Sequence, residues 1–337
     1  MTSIFRGLIL GPLFLFLIQG CSSFSSCPDE VVAAFDIGSG TTKVQVARRN
    51  SCDLTIKKTL LKTSKPVAYA QDLNTRESFS KEIVKRGERA IRELMEKALN
   101  YNPKKIFGVA TQAFRQAQNG KEVLESWKQK YGWPFQVIDQ QKEAMLAYEL
   151  VKLKLGYSDE DDLTVWDIGG GSQQMVTKNK DRELKIFKSK LAAVTFKNKV
   201  IKTIKKNKAA ETPNPMDQQE IEKALEIARQ AIRSDLIRGP LVEDNKASKE
   251  VIGIGGVHGA CVKNQLNLKD NERVYRSSLD EAISKRVGFS DEDLGGDYAS
   301  TDLTNLILVK ALMLEYGIDN YLPLSTNLTE SLLRQVP

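Results

Sequence analysis

Histidine is almost absent from this chain of 337 residues, which contains only His258. A zinc site built from several histidines is therefore excluded. A serine–histidine triad is excluded as well unless His258 serves in it, and no nucleophile elbow accompanies that residue. Basic and aromatic residues do not interleave along the chain, so we expect no nucleic acid partner.

The chain also lacks an apolar run of comfortable length for a membrane span. Near its start, Arg6 precedes the apolar stretch Gly7–Ile18, which is followed by Gln19-Gly20-Cys21. This pattern resembles a bacterial lipoprotein signal over residues 1–20, with Cys21 as the lipidated first residue after cleavage. An uncleaved signal anchor is the alternative. We expect a membrane-anchored lipoprotein that faces the periplasm or the cell exterior.

Cysteine is scarce, with three residues besides Cys21: Cys27, Cys52 and Cys261. If the strands around residues 38–41 form a hairpin, Cys27 and Cys52 are equidistant from its centre and face each other. We expect a disulfide between them in an oxidising compartment. The alternative is two unrelated thiols, because a bulge or a slip of one residue would separate them. Cys261 is expected to be a buried free thiol in a helix.

The remaining composition sets broad limits. A chain of this length, with 41% hydrophobic residues, allows two domains and a sizeable core. The formal net charge of +7 suits an anionic substrate or surface without requiring one. Lysines concentrated between residues 197 and 208 are explained most simply as a solvated helix and loop.

Three glycine-rich segments each follow an apolar run: Asp36–Thr42, Asp167–Ser172 and Gly253–Gly256. Each predicts a buried strand that ends in a turn, where glycine lets the backbone approach a ligand. Successive N–H groups in such turns bind anions, and Asp36 and Asp167 are placed to hold a divalent cation or a water. Ordinary hairpins, with the aspartates capping their own turns, are the alternative. The repeated Asp-Ile-Gly start favours a duplicated unit that faces one phosphate-binding cleft.

Strands alternate with helices elsewhere, which predicts an α/β protein whose strand ends carry the site. The expected strands include Lys105–Ala110 and Leu163–Trp166. The expected helices include Ser80–Asn100, Lys142–Leu153 and Asp217–Ile237.

Four segments resemble the exopolyphosphatase/guanosine pentaphosphate phosphohydrolase (Ppx/GppA) family, in the order and spacing of that family. They are Asp36–Thr42, Val109–Asn119, Val137–Ala144 and Asp167–Ser172. The resemblance is most specific in the Thr-x-Ala-x-Arg-x-Ala-x-Asn run at 111–119. It implies two ribonuclease-H-like domains of the actin-like ATPase fold around a central cleft, at 31–156 and 157–337 after a tether over 21–30. It also implies hydrolysis of terminal phosphates with Mg²⁺ or another divalent cation.

The resemblance assigns roles to individual residues. Glu143 matches the general base of the family, although a glutamate there could simply favour the helix N-terminus. Arg115 and Asn119 match a phosphate-contacting pair, and Asp36 and Asp167 match the aspartates that place the metal. The remaining phosphate-binding candidates are the loop residues Gly38, Ser39, Gly40, Thr41, Gly169, Gly170, Gly171, Ser172, Gly255 and Gly256.

Several positions depart from the family pattern. Gln174 stands where the family has a metal-binding glutamate, which should weaken cation binding. Lys142 replaces a second glutamate beside the base, and could pair with phosphate or lower the basicity of Glu143. His258 lies in the altered third loop, where it could donate to phosphate or make a structural hydrogen bond. Residues 325–330 follow the family's Ser-x-Gly-x-Arg-Glu-Gly pattern only loosely.

We therefore expect an extracytoplasmic hydrolase that releases terminal phosphate from polyphosphate or another phosphoanhydride by Glu-assisted attack of water. The first alternative is a polyphosphate- or nucleotide-binding or sensor protein that retains the cleft with little turnover. An ATP-dependent kinase is weaker, since no acceptor site is evident. The expected partners are the anionic substrate and the membrane, and a homodimer is left open.

Overall fold

The computed structural model describes residues 27–73, 75–179, 181–207, 210–234 and 250–335. The predicted signal segment and the lipidation site Cys21 lie outside them. Two mixed sheets with flanking helices form two α/β domains, which confirms the predicted fold class. Within the described part of the chain, no helix is both long and apolar enough to cross a membrane.

Both sheets contain a three-stranded antiparallel meander extended by strands parallel to its first strand, and the second sheet adds a short antiparallel edge strand at 274–275. The first sheet, in the order β3-β2-β1-β4-β5, contains β1 (Asp29–Ile37), β2 (Thr41–Asn50), β3 (Ile56–Pro66), β4 (Lys105–Ala110) and β5 (Phe135–Val137). The second, in the order β10-β11-β9-β6-β7-β8, contains β6 (Leu163–Ile168), β7 (Gln173–Lys178), β8 (Leu184–Ser189), β9 (Glu250–Ile254), β10 (Val274–Tyr275) and β11 (Asn320–Pro323).

Helices cover both sheets. Those before β6 are α1 (Tyr69–Asp72), α2 (Lys81–Leu99), α3 (Gln112–Gln116), α4 (Gly120–Tyr131) and α5 (Gln140–Leu155). Those after β6 are α6 (Ala193–Val200), α7 (Gln218–Ser234), α8 (Lys263–Gln265), α9 (Arg276–Ser284), α10 (Asp291–Leu294), α11 (Ala299–Glu315) and α12 (Leu328–Gln335), with π-helical turns at Ile201–Lys205 and Val257–Val262. Both faces of β1 are covered, and its run 32–35 is therefore apolar without alternation.

Helix α5 begins two residues earlier than the sequence pattern predicts, because Asp139 is its N-cap. The Asp139 carboxylate accepts a hydrogen bond from the backbone N–H of Lys142 at 2.7 Å. This cap places Glu143 in the first turn of the helix, close to the ends of the central strands.

Two helices cross between the domains and alter the predicted boundary. Helix α5, assigned from sequence to the first domain, packs Ala147 and Val151 into the core of the second sheet. Helix α12, assigned to the second domain, packs Leu332 and Leu333 against β1 and β2 of the first sheet. The chain therefore returns to its first domain at its C-terminal end.

A buried arginine holds that C-terminal helix in place. Arg49 on β2 is fully buried and donates through Nε and Nη2 to Glu30 Oε1, at 3.0 and 2.7 Å. Its Nη1 donates to the backbone oxygen of Leu333 at 2.7 Å. Because a buried charge is costly without partners, this arrangement ties α12 firmly to the first sheet.

A disulfide joins the two strands of the first hairpin at the end opposite to its turn. The β1–β2 register pairs Asp29 with Asn50, and Cys27 and Cys52 follow at facing positions, joined through their sulfurs.

Cys261 is a free thiol in the turn Val257–Val262 and is half-buried, and burial raises its pKa to about 11.

Candidate active site

The two aspartate–glycine hairpins meet across the cleft at van der Waals distance. In each, the N–H of the first glycine donates 3.0 Å to the backbone oxygen three residues later, Gly38 to Thr41 and Gly169 to Ser172. A Cβ added to Gly171 would lie 2.3 Å from Ser39 Oγ of the opposite loop. Glycine is therefore required there because another hairpin occupies the space.

The third loop closes the site from the second sheet. Gly255 has a φ of +83°, and a Cβ there would lie 2.1 Å from Asp167 Oδ1. Together the three loops line a small inner cavity of about 70 Å³. Its charged lining residues are Asp36, Lys43, Glu143 and Asp167, and its polar lining includes Ser39, Thr111, Ser172, Asn327 and Ser331.

Glu143 is buried at the wall of this cavity. Arg115 Nη1 donates to its Oε2 at 2.8 Å. Burial raises the pKa of Glu143 to about 7; Arg115 opposes that shift, whereas the negative charges of Asp167 and Asp36 reinforce it. A carboxyl group with a pKa near neutrality can exchange a proton with water or substrate at physiological pH.

The two loop aspartates have different partners. Lys43 Nζ lies 3.4 Å from Asp36 Oδ2, whereas Asp167 Oδ2 accepts a hydrogen bond from Gln174 Nε2 at 2.9 Å. Burial raises the pKa of Asp167 to about 6, although Lys43 and Gln174 both oppose the shift. Burial alone would lower the pKa of Lys43, but attraction to Asp36 and Asp167 holds it above its usual value.

This site fits a divalent cation only if waters and substrate phosphates complete the coordination of the ion. In the described ranges, no group of three or more histidine, cysteine, aspartate or glutamate side chains could enclose a metal ion. Two cavity carboxylates, Asp36 and Asp167, are nevertheless what Mg²⁺ uses when waters and substrate phosphates complete its octahedron. The residues therefore fit a cation shared with substrate.

The predicted phosphate-contacting pair does not reach the cavity lining. Arg115 stands behind Glu143, where its guanidinium also donates to the Ile138 carbonyl at 2.8 Å and to Gln112 Oε1. Asn119 uses its amide to accept from the N–H of Phe79 at 2.8 Å and to donate to the Phe79 oxygen at 3.1 Å. Arg115 is therefore a hydrogen-bond partner of Glu143. Asn119 instead holds the backbone just before α2 through its two hydrogen bonds to Phe79.

The side chains that depart from the family pattern at positions 142, 174 and 258 do not obstruct the cavity. Lys142 is exposed, and Gln174 lies behind Asp167, where its Oε1 accepts from Gln140 Nε2 at 3.1 Å. His258 packs against the rings of Trp166 and Tyr321, and no described residue makes a hydrogen bond to either of its ring nitrogens. Burial lowers its pKa to about 3, so the ring is neutral, and His258 is not among the described residues that line the inner cavity, where it could donate to phosphate.

Lys43, Thr111, Asn327 and Ser331 line the cavity but were not among the predicted site residues. The signal for Lys43 was available, because it follows Asp36 by the same interval as Gln174 follows Asp167. Asn327 and Ser331 reach the cavity because the C-terminal helix packs there, and no local sequence pattern predicts that packing. Lys43 and the glycine loops also line a wider outer chamber of about 540 Å³ that opens between the domains.

A sequence model of the Ppx/GppA phosphatase family matches residues 46–275. The fold is similar to that of the Aquifex aeolicus PPX-GPPA enzyme, at 17% identity and a TM-score of 0.66, covering 91% of this chain and 99% of that one. An exopolyphosphatase from Cytophaga hutchinsonii is 14% identical with a TM-score of 0.72, covering 90% and 96%. An exopolyphosphatase-like protein is 17% identical with a TM-score of 0.72, covering 90% and 97%. These structures share the two-domain actin-like architecture.

Proposed function

Since the chain belongs to the Ppx/GppA phosphatase family and is a phosphatase, we propose that it releases terminal phosphate from polyphosphate or a related phosphoanhydride. One observation carries the proposal. The buried Glu143 carboxyl, with a pKa of about 7, shares a small cavity with the two glycine hairpins. A base and an anion cradle on one cavity are what hydrolysis of a phosphoanhydride needs.

Glu143 is the proposed general base. Its carboxylate takes a proton from a water as the water oxygen bonds to the terminal phosphorus. The bridging P–O bond breaks, and its electron pair leaves with the shortened chain. Arg115 fixes the orientation of Glu143 by its 2.8 Å hydrogen bond from behind.

The hairpin turns are the proposed phosphate cradle. Gly38, Ser39 and residues 169–172 line one small volume. The N–H groups of Gly38 and Gly169 are used within their own turns, and the proposed donors are other backbone N–H groups of these loops. Such donors stabilise the charge on the equatorial oxygens as the phosphoryl group transfers. Asp36 and Asp167 would hold a divalent cation through its waters, and that cation, when bound, neutralises phosphate oxygens.

The location of the protein is a separate part of the proposal and rests on the sequence of residues 1–21. A lipid-anchored, extracytoplasmic enzyme would meet polyphosphate or extracellular nucleotides, whereas guanosine pentaphosphate stays in the cytoplasm. Palmitate labelling of the full chain and of Cys21→Ala in cells would test it: label in both, or in neither, contradicts lipidation at Cys21.

Phosphate release from medium-chain polyphosphate by the full chain in detergent tests the activity. We expect Mg²⁺-dependent release that Glu143→Gln lowers about a thousandfold. The matched control is Glu149→Gln, an exposed glutamate on the same helix, which should leave the rate unchanged. Polyphosphate binding without release by the wild-type chain would instead indicate the binding or sensor protein, and equal rates for both variants would exclude Glu143 as the base.

A further inference from the structure

The residue seven positions after each loop aspartate occupies the same place in the two hairpins. Strand pairing sets Asp36 directly opposite Lys43, and Asp167 directly opposite Gln174. Each of these partners directs a nitrogen at Oδ2 of its aspartate, at 3.4 and 2.9 Å respectively. The chain therefore supplies its own N–H donor to both carboxylates that a cation would use.

Only one of the two donors carries a charge. The Lys43 ammonium lines the inner cavity together with Asp36 and Asp167, and both carboxylates attract it. Opposite charges a few ångströms apart in a partly buried site interact far more strongly than in water. A divalent cation that approached the substrate-free pair would meet a positive charge already in place.

We propose that Lys43 is the resident counter-ion of the Asp36–Asp167 pair and competes with divalent cations for the substrate-free cleft. Mg²⁺ loses its waters reluctantly and needs anionic oxygens in octahedral positions. Two carboxylates shared with an ammonium group offer too little negative charge. Phosphate oxygens of a substrate would supply the rest, and the Lys43 ammonium would then pair with the phosphate. This last step rests on the proposed phosphatase function.

Binding of Mn²⁺ alone to the full chain, followed by the electron paramagnetic resonance of free Mn²⁺, tests the competition. The wild-type chain should bind Mn²⁺ weakly, and Lys43→Met should bind it at least about tenfold more tightly. Lys43→Arg keeps the charge and should restore weak binding. Lys58→Met is the matched control, because it removes an exposed lysine on the neighbouring strand that lines neither the inner cavity nor the outer chamber, and it should leave binding unchanged.

Circular dichroism of each variant establishes that it is folded, and Lys43→Gln serves if Lys43→Met is not. Mn²⁺ affinity that is unchanged or weaker without the Lys43 charge overturns the proposal, as does tight binding by the wild-type chain. The assay contains no phosphate and involves no turnover. Failure to hydrolyse polyphosphate would therefore count against the proposed function and leave this result standing.

Discussion

The hairpins at 36–43 and 167–174 share a backbone and differ in the charge that they bring to the cleft. Each has the same Asp-Ile-Gly start and a 3.0 Å bond across its turn. The first supplies the Lys43 ammonium to its aspartate, whereas the second supplies only the neutral Gln174 amide. The two hairpins thus share their turn geometry, while the side chains that set the electrostatics differ.

The first hairpin differs from the second in its disulfide, and removal of this bond should have the largest effect on stability. Cys27→Ser with Cys52→Ser opens a loop of 25 residues at the base of the first hairpin. We expect the free energy of unfolding to fall by about 3 kcal/mol, measured by denaturant titration. Dithiothreitol should produce the same loss in the wild-type chain and none in the double variant. An unchanged midpoint in the variant would show that the first hairpin needs no covalent closure.

The unequal aspartate partners predict unequal responses to neutralisation. The pKa of Asp167, about 6, lies above its unfolded value of 3.8, so the folded state binds the extra proton and stability falls as pH rises between these values. Asp167→Asn removes that loss. Between pH 4 and pH 7, the unfolding free energy of the variant should therefore rise by about 2 kcal/mol relative to that of the wild type.

Asp36→Asn is the matched comparison, because it leaves the Lys43 ammonium without its 3.4 Å partner. It should bring no such gain at pH 7. Thermal unfolding at the two pH values measures both variants, and equal behaviour would remove the electrostatic distinction between the hairpins.

Methyl groups at equivalent glycines should have unequal effects. A Cβ at Gly171 would lie 2.3 Å from Ser39 Oγ and 2.9 Å from its Cβ, whereas one at Gly40 would lie 3.9 Å from its nearest neighbour, in Val194. We expect Gly171→Ala to lose about 1–2 kcal/mol of unfolding free energy and Gly40→Ala less than about half of that. Equal losses in urea titrations would mean that the loops do not meet as described.

Local signals predicted the fold and the loops well, because they depend on neighbouring residues. The strand Lys105–Ala110 has the predicted limits, and the helix predicted over Ser80–Asn100 is α2, which begins one residue later with Ser80 as its N-cap. The side chains that surround Glu143 were harder to predict. Whether Arg115 faces phosphate or the base depends on a contact across 28 residues of sequence. Ser331 reaches the cavity through packing that links the two ends of the chain.

The buried Arg49 has a consequence for the order in which the protein is made. Its acceptor on Leu333 lies 284 residues further along the chain. While the ribosome is still adding the second sheet, the first domain exists without its last helix, and the guanidinium of Arg49 lacks its Leu333 acceptor. The later-synthesised domain can close its core first. The domain that emerges earliest is therefore the last to be completed, after the C-terminal residues leave the exit tunnel.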